Sequence, residues 1–229
     1  MKTSQKIFFS LIGIGIVCHI FFMPFYSDSF QDQTQMILNW ISIPFYSILG
    51  YIGLKMFEEK AGFPDMLEKK ITKKSRYYIP LVLGAIFALG AIIFDQLNPY
   101  KVPTLPLPYS IPYWIFVAIF DEFFWRLFFL TFMVWLISVK ILKDNYQEHV
   151  FWAVSILEGV IYMLMQYGMF TQMVGPVTSI LFAQIVLISA GYMVAACYSY
   201  RRGGFLAVMT VRLTQYMLYH VIYGSLMGI

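Results

Sequence analysis

Asp121, Glu122 and Arg126 interrupt a stretch that is otherwise nearly pure hydrocarbon, with IPYWIFVAIF before them and LFFLTFMVWLI after. Adjacent carboxylates can activate a water as general base and acid, and a nearby arginine can hold a developing oxyanion or neutralise one of the acids. Two more polar stripes follow. Glu158, Tyr162 and Gln166 recur at steps of four, and Arg212, Gln215, Tyr216, Tyr219 and His220 share one face of a later helix. Ionisable groups facing lipid cost a few kcal/mol or more each, so these stripes must turn toward a protein interior or a wet cavity. Three segments therefore converge on one polar core. It is either a site or a buried ion network, with Asp121, Glu122 and Glu158 meeting Arg126 and Arg212 to lock the helices together. In the network reading, Glu122 and Arg126 pair within one helix. Glu158 and Arg212, each about 12 Å from the same end of its span, are within reach of a direct pair.

The elements that carry these residues follow from composition. Hydrophobic residues make up 60% of the 229 and charged residues 12%, with mean hydropathy +0.70, too apolar for a soluble domain. Apolar runs of spanning length fall at about 7–26, 35–54, 77–95, 112–138, 150–170, 173–199 and 204–227. The expectation is an all-α, polytopic transmembrane bundle of about seven spans, one domain over residues 1–229, with the lipid bilayer as its obligatory partner. No internal repeat supports a transporter built from duplicated halves.

Lys2 and Lys6 precede the first span, but no small-residue cleavage pattern follows it, so it reads as a retained helix. The net charge of +4 does not point to nucleic acid, because the basic residues lie in short loops beside the spans. Lys2, Lys6, the run from Lys55 to Arg76, Lys140, Lys143, Arg201 and Arg202 fall on one side, and Lys101 alone on the other. The positive-inside rule then puts the amino terminus in the cytoplasm and the carboxyl terminus outside. Residues 58–76 read as a solvated loop obeying the positive-inside rule, the alternative being that its basic end rests on anionic headgroups. Residues 98–112, with five prolines, read as an extended outer connector. Cys18 and Cys197 lie inside apolar segments and read as packing residues. Without a His-Glu-x-x-His pattern or clustered cysteines, no metal or other cofactor is implied.

DEFFWRLFF, a downstream polar helix, and YSYRRGGFLAVMTVRLTQYM resemble, over about residues 112–220, the CAAX protease and bacteriocin-processing (Abi) family of membrane proteins. That family's pattern is Glu-Glu-x-x-x-Arg on one helix, Phe-x-x-x-His on the next, and His-x-x-x-Asn or a variant on a later helix that follows an arginine and a glycine. The resemblance implies an intramembrane glutamyl-type endopeptidase whose first acid activates water. Asp121 stands at that acid; Glu122 and Arg126 match the pattern. Tyr162 and Gln166 occupy the Phe-x-x-x-His positions, Arg212 the second histidine and Tyr216 the asparagine, the last two being oxyanion positions in the family.

These departures bear on chemistry. Aspartate is one methylene shorter than glutamate, and Gln166 can orient water but cannot change protonation state near neutral pH. Arg212 beside a carboxylate weakens it as a base. His220, two turns past Arg212 on the same face, reads as a hydrogen-bonded structural residue more than a catalyst. Two expectations from different classes follow. One is a catalytically degenerate membrane scaffold concerned with bacteriocin immunity, peptide export or the cell envelope, in a prokaryotic plasma membrane and partnered by another membrane protein. The other is an active endopeptidase cleaving a membrane-associated peptide. The geometry around Asp121 discriminates between them: a water-sized cavity bounded by Asp121, Glu122 and Gln166 favours chemistry, and a direct Arg212–carboxylate pair favours the scaffold.

Overall fold

The computed structural model describes residues 3–26, 30–99 and 105–227, without the side chains of 25, 26 and 30–36. Among the described residues there is no strand, and seven helices are long and apolar enough to cross a membrane: α1 (Thr3–Phe22), α2 (Ile37–Phe57), α3 (Lys74–Leu97), α4 (Ser110–Ile141), α5 (Gln147–Val174), α6 (Ser179–Gly203) and α7 (Phe205–Met227). The all-α multi-pass bundle read from hydropathy is the fold observed. Boundaries move by a few residues for local reasons. α1 stops at Phe22, and a short 3₁₀ turn over Met23–Tyr26 carries Pro24, which disfavours helical geometry just before it. At the other end, Thr178 caps α6 by accepting a hydrogen bond from the Leu181 amide at 3.1 Å.

α4 is the central element. Its amino-terminal part packs on α1 and α7, its middle on α2, and its carboxyl-terminal part on α5. α7 lies against α3, α4 and α6, while α5 lies on α6. Two glycines permit this arrangement where the site is built. A Cβ at Gly84 of α3 would come within 2.6 Å of the Val211 carbonyl oxygen, so α3 and α7 approach backbone to backbone beside Arg212. Gly204 adopts φ +75° and turns the chain from α6 directly into α7. The sequence RRGGF therefore stops one span and starts the next without a loop.

The basic segments cluster at one end of the bundle, in keeping with the charge asymmetry of the loops. There Ser4 hydrogen-bonds Asp65, Gln147 donates to the Ala61 carbonyl, and Arg201 pairs with Glu148 at 2.5 Å.

The first half of the 58–76 segment departs from the solvated loop expected. Ala61, Phe63 and Met66 are buried, and Phe63 stacks on Tyr200 at 4.9 Å. Three apolar residues spaced through a turn suffice to anchor it, and the lysines mask that signal in composition. Glu58, just past α2, is buried with them and accepts a 2.7 Å hydrogen bond from the Tyr200 hydroxyl. Burial pushes its carboxyl up to about 8, against the opposing pull of that hydrogen bond. Lys69, Lys70, Lys73 and Lys74 are exposed, as expected. Of the proline-rich connector, residues 100–104, Lys101 included, lie outside the described residues.

Candidate functional site

Just after Glu122, α4 widens. Residues Phe123–Leu130 form a π-helical segment, whose larger turn rotates the following side chains relative to a regular α-helix. Arg126 sits in this segment, wholly buried, and bridges two acids. Its Nη1 donates to Glu158 Oε1 at 2.6 Å, Nη2 donates to the Met193 carbonyl at 3.3 Å, and Nε lies 3.4 Å from Glu122 Oε2. The intrahelical pair expected from four-residue spacing exists, but it is the longer contact. The short bond runs across the bundle to α5.

Arg212 holds the other side of Glu122. Its Nε donates to Glu122 Oε1 at 2.7 Å and its Nη1 to the Tyr216 hydroxyl at 3.1 Å. Nη2 lies 4.0 Å from Asp121 Oδ2 and makes no hydrogen bond. The guanidinium lies over the rings of Tyr192 and Tyr216, at 4.6 and 5.3 Å. The direct Glu158–Arg212 pair is therefore corrected: Glu158 belongs to Arg126, and Arg212 belongs to Glu122. The π segment aims Arg126 at α5 first, and Glu122 between the two arginines takes up Arg212.

Two members of this network escaped sequence reading, both on α6. Tyr192 donates to Glu122 Oε1 at 3.3 Å. The Cys197 thiol donates to Glu158 Oε2 at 2.6 Å, so this cysteine is a polar partner as well as a packing residue. Neither carries charge, and only the small residues around them in YMVAACYS indicate a helix that others approach closely.

Beside this network, toward the amino-terminal end of α4, lies a cavity of about 620 Å³ lined mainly from α4, α5, α6 and α7. Asp121, Gln166, Arg212, Gln215, Tyr216, Tyr219 and His220 line it, as does Tyr162, so all three stripes converge there. Glu122 and Glu158 do not line it. They are 0% exposed, whereas the Asp121 side chain is 31% exposed and Arg212 1%. Met165, Met169 and Met173 form the α5 wall and are themselves exposed on the outside of the bundle. Across the space, the His220 ring stacks on Trp114 at 3.6 Å, and its Nδ1 has no hydrogen-bond partner. Among the described residues, no group of three or more His, Cys, Asp or Glu could hold a metal ion.

The cavity expected for chemistry is present only in part, because Glu122 does not bound it, while the direct Arg212–carboxylate pair expected for the scaffold is present. Asp121 and Gln166 face an accessible cavity, and Arg212 is tied directly to a carboxylate. No protein-family model, curated protein or solved structure matches the chain.

Proposed function

We propose that this chain is a non-catalytic binding scaffold of a prokaryotic plasma membrane, a degenerate relative of the CAAX protease and bacteriocin-processing proteins whose motif residues it resembles. It works by holding another membrane component, in bacteriocin immunity, peptide export or cell-envelope processes. The observation that carries this reading is the 2.7 Å bond from Arg212 to Glu122. A permanently charged arginine stands where the resemblance expects a histidine. It immobilises the one glutamate retained from the motif and seals it from the cavity. Glu122 meets only arginines and Tyr192, so the second acid of the motif cannot share a water with Asp121, the position of the expected base.

Peptidase action is the second reading, favoured by one specific feature: Asp121 remains exposed to a cavity that Gln166 and Tyr162 also line. Quantitative profiling of protein amino termini, in membranes of cells making wild-type chain or Asp121→Asn at equal levels, separates the two. The scaffold gives the same termini in both. A set of new termini found only with the wild-type chain overturns it in favour of the peptidase.

A further inference from the structure

The cavity has an asymmetry of charge that its net composition conceals. Three acids face two arginines in the network, and both arginines are spent on Glu122 and Glu158. Arg212 uses Nε and Nη1 in hydrogen bonds, has both flanking tyrosine rings against its plane, and is 1% exposed. Asp121 has no contact closer than 4.0 Å to a cation and is the one network carboxylate that the cavity reaches. What a ligand meets at the deep end is therefore a carboxylate.

The walls point the same way. Tyr46, Tyr113, Trp114, Phe124, Trp125 and Tyr162 line the same space. Aromatic rings present a negative face that attracts cations, most strongly where water is excluded. A cavity of about 620 Å³ is the size of a small-molecule pocket. Hard, hydrated metal ions suit neither the aromatic walls nor a single carboxylate. An anion would confront Asp121, and Arg212 Nη2, although without a hydrogen-bond partner, is buried and lies 4.0 Å from that same carboxylate.

We infer that this cavity binds a lipophilic organic cation, an ammonium or phosphonium centre carried on an apolar body, with its charge toward Asp121 and its body among the aromatic rings. The bilayer supplies such amphiphiles, and the three-methionine wall at the outside of α5 gives an adaptable apolar margin to the space. The inference rests on reading the cavity as a binding site, and it adds the ligand's chemical class.

The test uses two probes of matched shape and opposite charge, tetraphenylphosphonium and tetraphenylborate. Binding to the full chain in nanodiscs of zwitterionic lipid is measured by equilibrium dialysis, with protein-free nanodiscs subtracted. Wild-type protein should hold the phosphonium at least about tenfold more tightly than the borate, since the excess carboxylate, three acids against two arginines, contributes opposite signs to the two. Asp121→Asn should remove that preference, and Trp114→Leu should weaken phosphonium binding while leaving its charge preference in place. Equal affinity of wild-type protein for the two probes overturns the inference without needing any variant to fold. Unchanged phosphonium binding in a monodisperse Asp121→Asn protein overturns it as well. Neither result depends on the profile of protein termini, so failure here leaves the scaffold reading to its own test.

Discussion

Replacing Arg126 by methionine removes a charge and keeps most of the side chain's volume, so the loss reports the ion network and little else. Three consequences follow from the geometry. Glu158 loses a charge-assisted hydrogen bond of 2.6 Å, the Met193 carbonyl loses a 3.3 Å donor, and Glu122 loses the positive charge 3.4 Å from Oε2. A hydrogen bond to a charged group contributes about 1.5–3 kcal/mol, and leaving a buried charge uncompensated brings the total to about 3–5 kcal/mol. Neutral polar pairs between membrane helices average only about 0.6 kcal/mol, which makes the predicted loss diagnostic of charge burial. Asp121→Asn should cost less than about 1 kcal/mol, because Asp121 is partly exposed and its arginine is 4.0 Å away. The assay is equilibrium unfolding in mixed micelles, followed by circular dichroism at increasing dodecyl sulfate fraction. The double variant Arg126→Met with Glu158→Leu, which removes both charges, should regain more than half of the loss. If Arg126→Met matches Asp121→Asn, or if the double variant regains nothing, the network is not what holds α4 to α5.

The remaining predictions concern the end where the basic segments cluster and the topology of the spans. Glu58 is raised to about 8 by burial, from a reference value of 4.5, so the folded state binds more protons than the unfolded one between these limits. Stability should therefore fall as pH rises from about 4.5 to about 8 and level off above it, and a Glu58→Gln variant should show a flatter melting profile across that window; an unchanged slope refutes the assignment. For topology, cysteines at exposed Lys73 and Ser225 should react with an impermeant maleimide from opposite sides of the membrane, against a background in which Cys18 and Cys197 are buried; labelling from one side overturns the seven-span arrangement.

The spans were legible because twenty consecutive apolar residues leave a chain little choice, and the helix faces were legible because polar residues in hydrocarbon must seek one another. Asp121, Gln166, Arg212, Tyr216 and His220 meet in one cavity as their spacing required. Pairing within the network was not legible. Periodicity assumes a regular α-helix, and the π segment beginning at Phe123 rotates Arg126 toward Glu158. Sequence spacing also gives no account of neutral partners, which is why Tyr192 and Cys197 became visible only once α6 was placed against α4 and α5. The buried turn at Phe63 and Met66 was hidden for a third reason: four acids and five lysines in residues 58–76 dominate the composition while three apolar side chains decide the burial.

The network's form argues against stability as its purpose. Well-packed hydrophobic residues of similar volume are often as stabilising as a buried ion cluster or more so, so three acids and two arginines in a membrane are a costly way to hold helices together. The arrangement makes sense when its output is the state of one residue. Arg126 neutralises Glu158 and Arg212 neutralises Glu122, which leaves Asp121 as the network carboxylate that the cavity reaches. Its nearest guanidinium is held at 4.0 Å, its side chain faces the cavity, and aromatic residues line the space around it. A water-activating base would need an unengaged partner to take over its proton and a donor aimed at the substrate oxygen. Here Gln166 cannot change protonation state near neutral pH, and Arg212 is pinned to Glu122. Under the proposed scaffold reading, what the geometry leaves to Asp121 is a carboxylate facing an aromatic-lined cavity.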